Sequence, residues 1–317
     1  MPPPTETVTK AAKAAGTAVG KAVKHGAQKV EKWLDVVPRL IAKHTPSKSP
    51  SLFTLYLQMG PSNLGNTAGA KQKTGVFVPE SVKGQTKVNM IIYLHGNKVR
   101  VVHDEYTIEE IWGLAHEDKS TRLVFPLREE LSDSKKPFIL VAPTLGKYEE
   151  GIADLGNNVD VYLNQVMEGL HEHAADIFPA VPQVGDIIVA GHSGAGGSML
   201  KVASNTNNYK DNVKEIWGFD TLLNGTEENW RNWALGHSKT AKVYVYYRAY
   251  GDNSLLLAKN TMKDESIFVI KALAEHDFVL QKHWRERLNA IGSPTEDDRK
   301  RRNETRDLAT AGKKKKT

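Results

Sequence analysis

Apolar positions along this chain follow two different periods, and the alternation between them lays out an architecture. Short apolar runs rich in β-branched side chains occupy residues 52–57, 75–79, 88–94, 138–142, 186–190, 216–219, 243–247 and 267–271, and they read as strands. The run at 186–190 has no polar alternation, as expected of a strand buried on both faces. Helical spacing appears over 159–178, resumes between Met199 and Val202, and returns over 230–235. A long excursion over 98–136 carries a helical patch at 108–114. Strands alternating with helices predict an α/β protein, with a mostly parallel sheet and helices on both faces. There is no internal repeat.

The ends of the chain have a different pattern. Val19, Val23, Ala27, Val30, Leu34, Val37 and Ile41 recur every three or four residues, with Lys21, Lys24, Lys29 and Lys32 elsewhere around the helix. This predicts a basic amphipathic helix over 10–41, weakened in its first half by glycine and kinked or ended by Pro38. Such a segment serves either as an arm packed by its Trp33 end or as a docking site for a membrane surface or another protein. A Ser/Pro/Lys linker follows at 46–50. Three units are therefore expected: an N-terminal helical arm and linker (1–50), an α/β domain (51–296) and a charged tail (297–317). The tail is poor in apolar residues and should be a helical stub running into disorder.

Composition narrows the function classes. The 317 residues suffice for one sizeable core. Absence of cysteine excludes disulfides and thiolate metal sites. Neither a secretory h-region nor an 18-residue apolar span is present, so the expectation is a soluble protein, cytoplasmic or exported without a classical signal peptide. Net charge is +6, but residues 1–35 contribute +3 and residues 299–317 contribute +7, leaving the body at −4. A mildly acidic body argues against a nucleic-acid partner. Oligomeric state is not encoded in these features.

Candidate chemistry centres on DIIVAGHSGAGGSML, residues 186–200. The strand ends at Gly191, small residues crowd a turn, and a helix resumes, so Ser193 sits where a nucleophile elbow presents a hydroxyl. The match to G-x-S-x-G departs at the fifth position, Ala195. Phosphate-binding alternatives fail on spacing: a dinucleotide fingerprint would need glycine at Met199, and a P-loop would need lysine after Gly196. Asp220, ending the next strand, keeps a nucleotide-dependent enzyme as an alternative. A serine nucleophile needs a base, an orienting acid and oxyanion donors. His276 follows the last strand, and two acids, Asp220 and Asp252, end earlier ones. His95-Gly96-Asn97 closes the strand at 88–94, making the Gly194 and Asn97 N–H groups, beside Gly96, the expected oxyanion pair. His171-Glu172-His173 lacks zincin spacing, since position 175 is Ala. Trp230 and Trp233 suit either a cleft wall or packing. No metal or organic cofactor is required.

The pieces VFVPE, YLHGN, PLREEL, LVAPTLG, VAGHSGAGG, GFDTLLNG with NWRNWA, and AEHDFVL before RERL together resemble the α/β-hydrolases over roughly residues 75–291. More narrowly they resemble a poorly characterised bacterial hydrolase family. The resemblance implies a serine hydrolase fold with unsettled substrates, and it places an acid at Asp220. Asp252 lies in Tyr250-Gly251-Asp252-Asn253, where aspartate is common for local backbone hydrogen bonding. The expected function is cleavage of a small-molecule, lipid or other acyl ester, less readily an amide, through an acyl-enzyme on Ser193 with His276 as base. A catalytically silent binding or structural module on the same fold is the alternative.

Overall fold

The computed structural model describes residues 39–44, 51–59, 73–96, 126–145, 155, 157–221, 226–237, 239–248 and 251–311. The apolar runs become strands β1 (Arg39–His44), β2 (Ser51–Gln58), β3 (Lys73–Pro79), β4 (Lys87–Leu94), β5 (Phe138–Pro143), β6 (Gln183–His192), β7 (Val213–Phe219), β8 (Lys242–Tyr247) and β9 (Ile267–Lys271). They join one sheet in the order β1-β2-β3-β5-β4-β6-β7-β8-β9. Strands β4 to β9 are mutually parallel, while β1, β2 and β3 add an antiparallel flank beside β5.

Successive side chains of a strand point to opposite faces, and here both faces are apolar. Met90, Ile92 and Leu94 of β4 face one core, and Ile91 and Tyr93 face the other. The first core is covered by α2 (Val159–His173), α3 (Gly196–Ser204), α4 (Glu227–His237) and α5 (Gly251–Asn260). The second is covered by α1 (Leu127–Ser134), which lies inside the excursion, and by α6 (Val279–Asn289). A mostly parallel sheet, layered on both faces and turning sharply after the interior strand β6, is the α/β-hydrolase fold. No described helix is long and apolar enough to cross a membrane.

Two expectations for the ends change. Residues 39–41, assigned above to the end of the amphipathic helix, belong to strand β1, which pairs antiparallel with β2 through a bulge between Leu40 and Ala42. A short apolar window after Pro38 fits either period, and the open edge of β2 supplies hydrogen bonds that a helix end lacks. The sheet thus begins at Arg39, ahead of the boundary drawn at residue 51. The rest of the expected arm, the helical patch at 108–114 and the lysines at 313–316 lie outside the described residues.

The charged tail is not a stub: α7 (Glu296–Ala311) runs for 16 residues with Asp298, Arg301, Arg302 and Thr305 buried. It packs on β9, one of the two edge strands of the described sheet, and covering an edge protects its unpaired backbone groups. Arg301 donates from both Nε and its guanidinium end to the Lys271 carbonyl. Arg302 donates to the Glu265 carboxylate at 2.7 Å and lies 4.7 Å over the Phe268 ring. Arg306 reaches the Thr261 and Asp264 carbonyls. Long arginine stems cover apolar surface while their heads satisfy carbonyls at the end of β9 and in the connection leading into it, so this helix docks with little aliphatic content.

The start of α7 also enters a buried ionic cluster. The Arg287 guanidinium, fully buried, donates to Glu215 at 2.8 Å and to Asp298 at 3.2 Å, and stacks 3.5 Å over Tyr244. Glu215 also accepts from Trp217 Nε1 and the Gly292 N–H, both at 2.6 Å. Asp298 accepts from the Tyr246 hydroxyl at 2.8 Å and the Thr295 N–H at 2.9 Å. Burial pushes the Tyr246 hydroxyl well above its usual range, so it stays a donor. Removing one member of such a cluster leaves an uncompensated buried charge, at a cost of about 3–5 kcal/mol. Arg287→Leu should therefore lower unfolding free energy by about that much in a urea titration. A loss below about 1 kcal/mol would show that the cluster relaxes without its cation.

Candidate active site

The site is built where β6 gives way to α3. His192 keeps extended backbone angles (φ −127°, ψ 147°), and Ser193 then turns into the left-handed region at φ 55°. That conformation costs a non-glycine residue about 1–2 kcal/mol and persists only where the surroundings impose it. Ala195 explains the departure from G-x-S-x-G: its φ is −68°, so a methyl group is tolerated, and it is fully buried. The demand for glycine moves one residue on. A Cβ on Gly196 would stand 2.0 Å from the Thr221 carbonyl oxygen, so α3 can start this close to the end of β7 only without a side chain there.

The register of the sheet carries three side chains to the turn. His276, in a turn of 3-10 helix (His276–Phe278) after β9, has Nε2 3.0 Å from Ser193 Oγ and Nδ1 2.6 Å from Asp220 Oδ2. Asp220 directly follows β7 with φ 55° and is completely buried. Its Oδ1 accepts the Arg248 N–H at 2.8 Å, and its own N–H donates to the Tyr246 carbonyl at 2.6 Å. With Nδ1 as donor to the Asp220 carboxylate, His276 leaves Nε2 to accept from the serine hydroxyl. Asp252 is exposed in the first turn of α5, and the carboxylate bonded to His276 is that of Asp220.

Gly96, at the end of β4, abuts the same turn. A Cβ there would lie 2.6 Å from the His192 carbonyl oxygen, 2.8 Å from Ser193 Cβ and 3.1 Å from the Gly194 nitrogen. Gly96 thus touches the elbow beside the Gly194 N–H, while Asn97 lies outside the described residues. His95 is buried as a brace: its Nε2 accepts from the Leu145 N–H at 3.1 Å, so Nδ1 carries the proton and donates to the Gly96 carbonyl at 2.9 Å. Trp230 and Trp233 are buried in the core under the sheet. His171 bonds the Phe178 carbonyl, and among the described residues no group of three or more potential ligands could hold a metal ion.

Sequence reasoning missed two neighbours of His276. Arg248 forms an ion pair with Glu275 at 2.7 Å, and this hydrogen bond holds the Glu275 carboxyl below the usual carboxylate range. His192 stacks on His276 with ring centroids 4.9 Å apart. The only sequence signal was adjacency, since Glu275 precedes His276 and His192 precedes Ser193.

No family model matches the chain, and no curated protein matches it. Several solved structures resemble its fold. An S-formylglutathione hydrolase from Agrobacterium tumefaciens aligns with a TM-score of 0.49 at 11% identity, covering 79% of this chain and 97% of the other. The feruloyl esterase module from Clostridium thermocellum gives 0.45 at 12% identity, covering 83% and 93%. A putative acetyl xylan esterase from Bacteroides fragilis gives 0.44 at 12% identity, covering 78% and 72%.

The packing at Gly196 makes a direct test. Gly196→Ala must displace the Thr221 carbonyl beside Asp220 and should destabilise the protein by about 1–3 kcal/mol in urea. Gly197→Ala, with nothing within 4 Å of the new methyl, should be neutral or stabilising by up to about 1 kcal/mol. Equal effects at the two positions would contradict the close approach.

Proposed function

We propose that this protein is a serine hydrolase that cleaves carboxylic esters through an acyl-enzyme on Ser193. The observation that carries the reading is the continuous hydrogen-bonded chain from Ser193 Oγ through His276 to a buried Asp220. Ser193 Oγ attacks the ester carbonyl carbon while His276 Nε2 takes the hydroxyl proton. Asp220 fixes the Nδ1–H tautomer and stabilises the imidazolium that forms. The tetrahedral oxyanion develops against the Gly194 N–H at the start of the turn into α3, with Asn97 as the expected second donor beside Gly96. Collapse breaks the bond to the leaving alkoxide, which receives the proton from His276 Nε2. Water then attacks the acyl carbon, giving its proton to His276, and the carboxylic acid leaves as Ser193 regains its hydrogen. Esters are favoured over amides because an alkoxide leaves more readily than an amine and asks less of the general acid.

Turnover of p-nitrophenyl acetate and butyrate tests this reading. Ser193→Ala should lower kcat by at least about a thousandfold without changing the unfolding midpoint, because it removes only the attacking oxygen. Asp220→Asn should lower kcat by about two to four orders of magnitude with a smaller change in KM. Asp252→Asn, exposed on α5, should stay within about twofold of wild type. Turnover retained in Ser193→Ala would remove the serine mechanism, and absence of turnover on any acyl ester of graded length would favour the silent-module alternative. A larger loss in Asp252→Asn than in Asp220→Asn would transfer the acid's role.

A further inference from the structure

We propose that His192, the residue before the serine, is a positioning residue for His276: it holds the histidine turn against the elbow through a hydrogen bond to the backbone and a ring stack. The inference rests on the reading of Ser193, His276 and Asp220 as a triad. His192 Nε2 lies 2.9 Å from the His276 carbonyl oxygen. A carbonyl only accepts, so Nε2 carries a proton and donates. The rings of the two histidines stack with centroids 4.9 Å apart and planes 29° apart. One side chain on the elbow therefore grips both the main chain and the imidazole of the residue whose Nε2 meets Ser193.

The need for such a grip follows from where His276 sits. It occupies a short 3-10 turn (His276–Phe278) whose own Phe278 is 49% exposed and which follows the exposed Leu273, while apolar burial resumes only after the turn, at Val279 and Leu280. Within the turn itself, polar attachments among the described residues add to that anchor. Asp220 holds Nδ1 at 2.6 Å, Arg248 clasps the preceding residue Glu275 at 2.7 Å, and His192 holds the His276 carbonyl. The Arg248–Glu275 pair is solvent-exposed, where ion pairs contribute little. His192 is half-buried and belongs to β6, whose last residue pairs with Phe219 in β7 immediately before Asp220. It thus ties the base to the rigid strand that also sets the nucleophile and, through β7, the acid. A loosely held imidazole would spend less time in line with Ser193 Oγ, and displacements of about 1 Å in such constellations cost about a hundredfold in rate.

The experiment compares His192→Ala, His192→Phe and His192→Gln in the full chain, with two readouts. Steady-state turnover of p-nitrophenyl acetate gives kcat and KM, and proton NMR of the unliganded protein follows the far-downfield resonance of the His276 Nδ1–H donated to Asp220. His192→Ala loses both donor and stack and should lower kcat about ten- to a hundredfold, with KM within about twofold. The downfield resonance should broaden as its proton exchanges faster with water. His192→Phe keeps a ring without a donor and should fall between Ala and wild type, and His192→Gln should restore much of kcat and the resonance by supplying an N–H. A role in stability alone would lower the unfolding midpoint and leave the resonance sharp and kcat within about twofold, and that outcome overturns the proposal. If the wild type hydrolyses no ester while the resonance broadens in His192→Ala and returns in His192→Gln, positioning stands and the hydrolase reading fails.

Discussion

The site depends on the register between two parallel strands. β6 and β7 pair so that His192 lies opposite Phe219, and the next residue of each, Ser193 and Asp220, leaves the sheet at the same height. Both turn through the left-handed region at φ 55°, two strained non-glycine positions side by side. A slip of one residue would send every side chain of the strand to the opposite face, and both cores forbid it because both are filled with large apolar groups. The strain is thus imposed from below by the packing of the sheet, and it is reinforced above by the Thr221 carbonyl seated on Gly196. β8 and β9 continue the parallel ladder, delivering the Arg248 N–H to Asp220 and His276 to Asp220 and Ser193.

Strand β7 carries a buried carboxylate near each end, and their surroundings assign them different work. Glu215 is enclosed with the Arg287 guanidinium, an indole N–H and a backbone N–H, so its charge is neutralised permanently inside a structural cluster. Asp220 receives one backbone N–H and one imidazole N–H. An arginine remains protonated under all ordinary conditions, whereas an imidazole gains and loses a proton near neutrality. The first carboxylate therefore locks α6 and α7 beneath the sheet, and in the proposed mechanism the second would stabilise the charge that forms when His276 takes the serine proton.

Most of the central sheet was legible because its strands are short uniform apolar runs, and the elbow because small residues cluster nowhere else between a strand and a helix in this way. Ser193, Asp220 and His276, which the structure brings within hydrogen-bond distance, were all singled out at strand ends. Asp220 was favoured over Asp252 because it ends an apolar run, the resembling family carries an acid there and Asp252 lies in a turn sequence. What escaped had no periodic signal. β1 is a six-residue segment whose pattern fits helix and strand alike, and its state is decided by the open edge of β2. α7 docks through arginines on carbonyl oxygens, a mode in which apolar periodicity is absent. The Arg248 N–H on Asp220 and the His192 N–H on the His276 carbonyl are backbone-directed contacts between residues 28 and 84 positions apart, and only the folded chain brings them together.

The central claim is that Ser193 is a nucleophile activated by His276, and covalent capture tests it without any assumption about substrate. The native protein would be treated with a fluorophosphonate, its intact mass measured, and the labelled peptide sequenced by tandem mass spectrometry. The account predicts one phosphonyl adduct per chain, located on Ser193 and suppressed when the protein is first unfolded in urea. A protein that stays unlabelled, or one labelled at another residue, would contradict it.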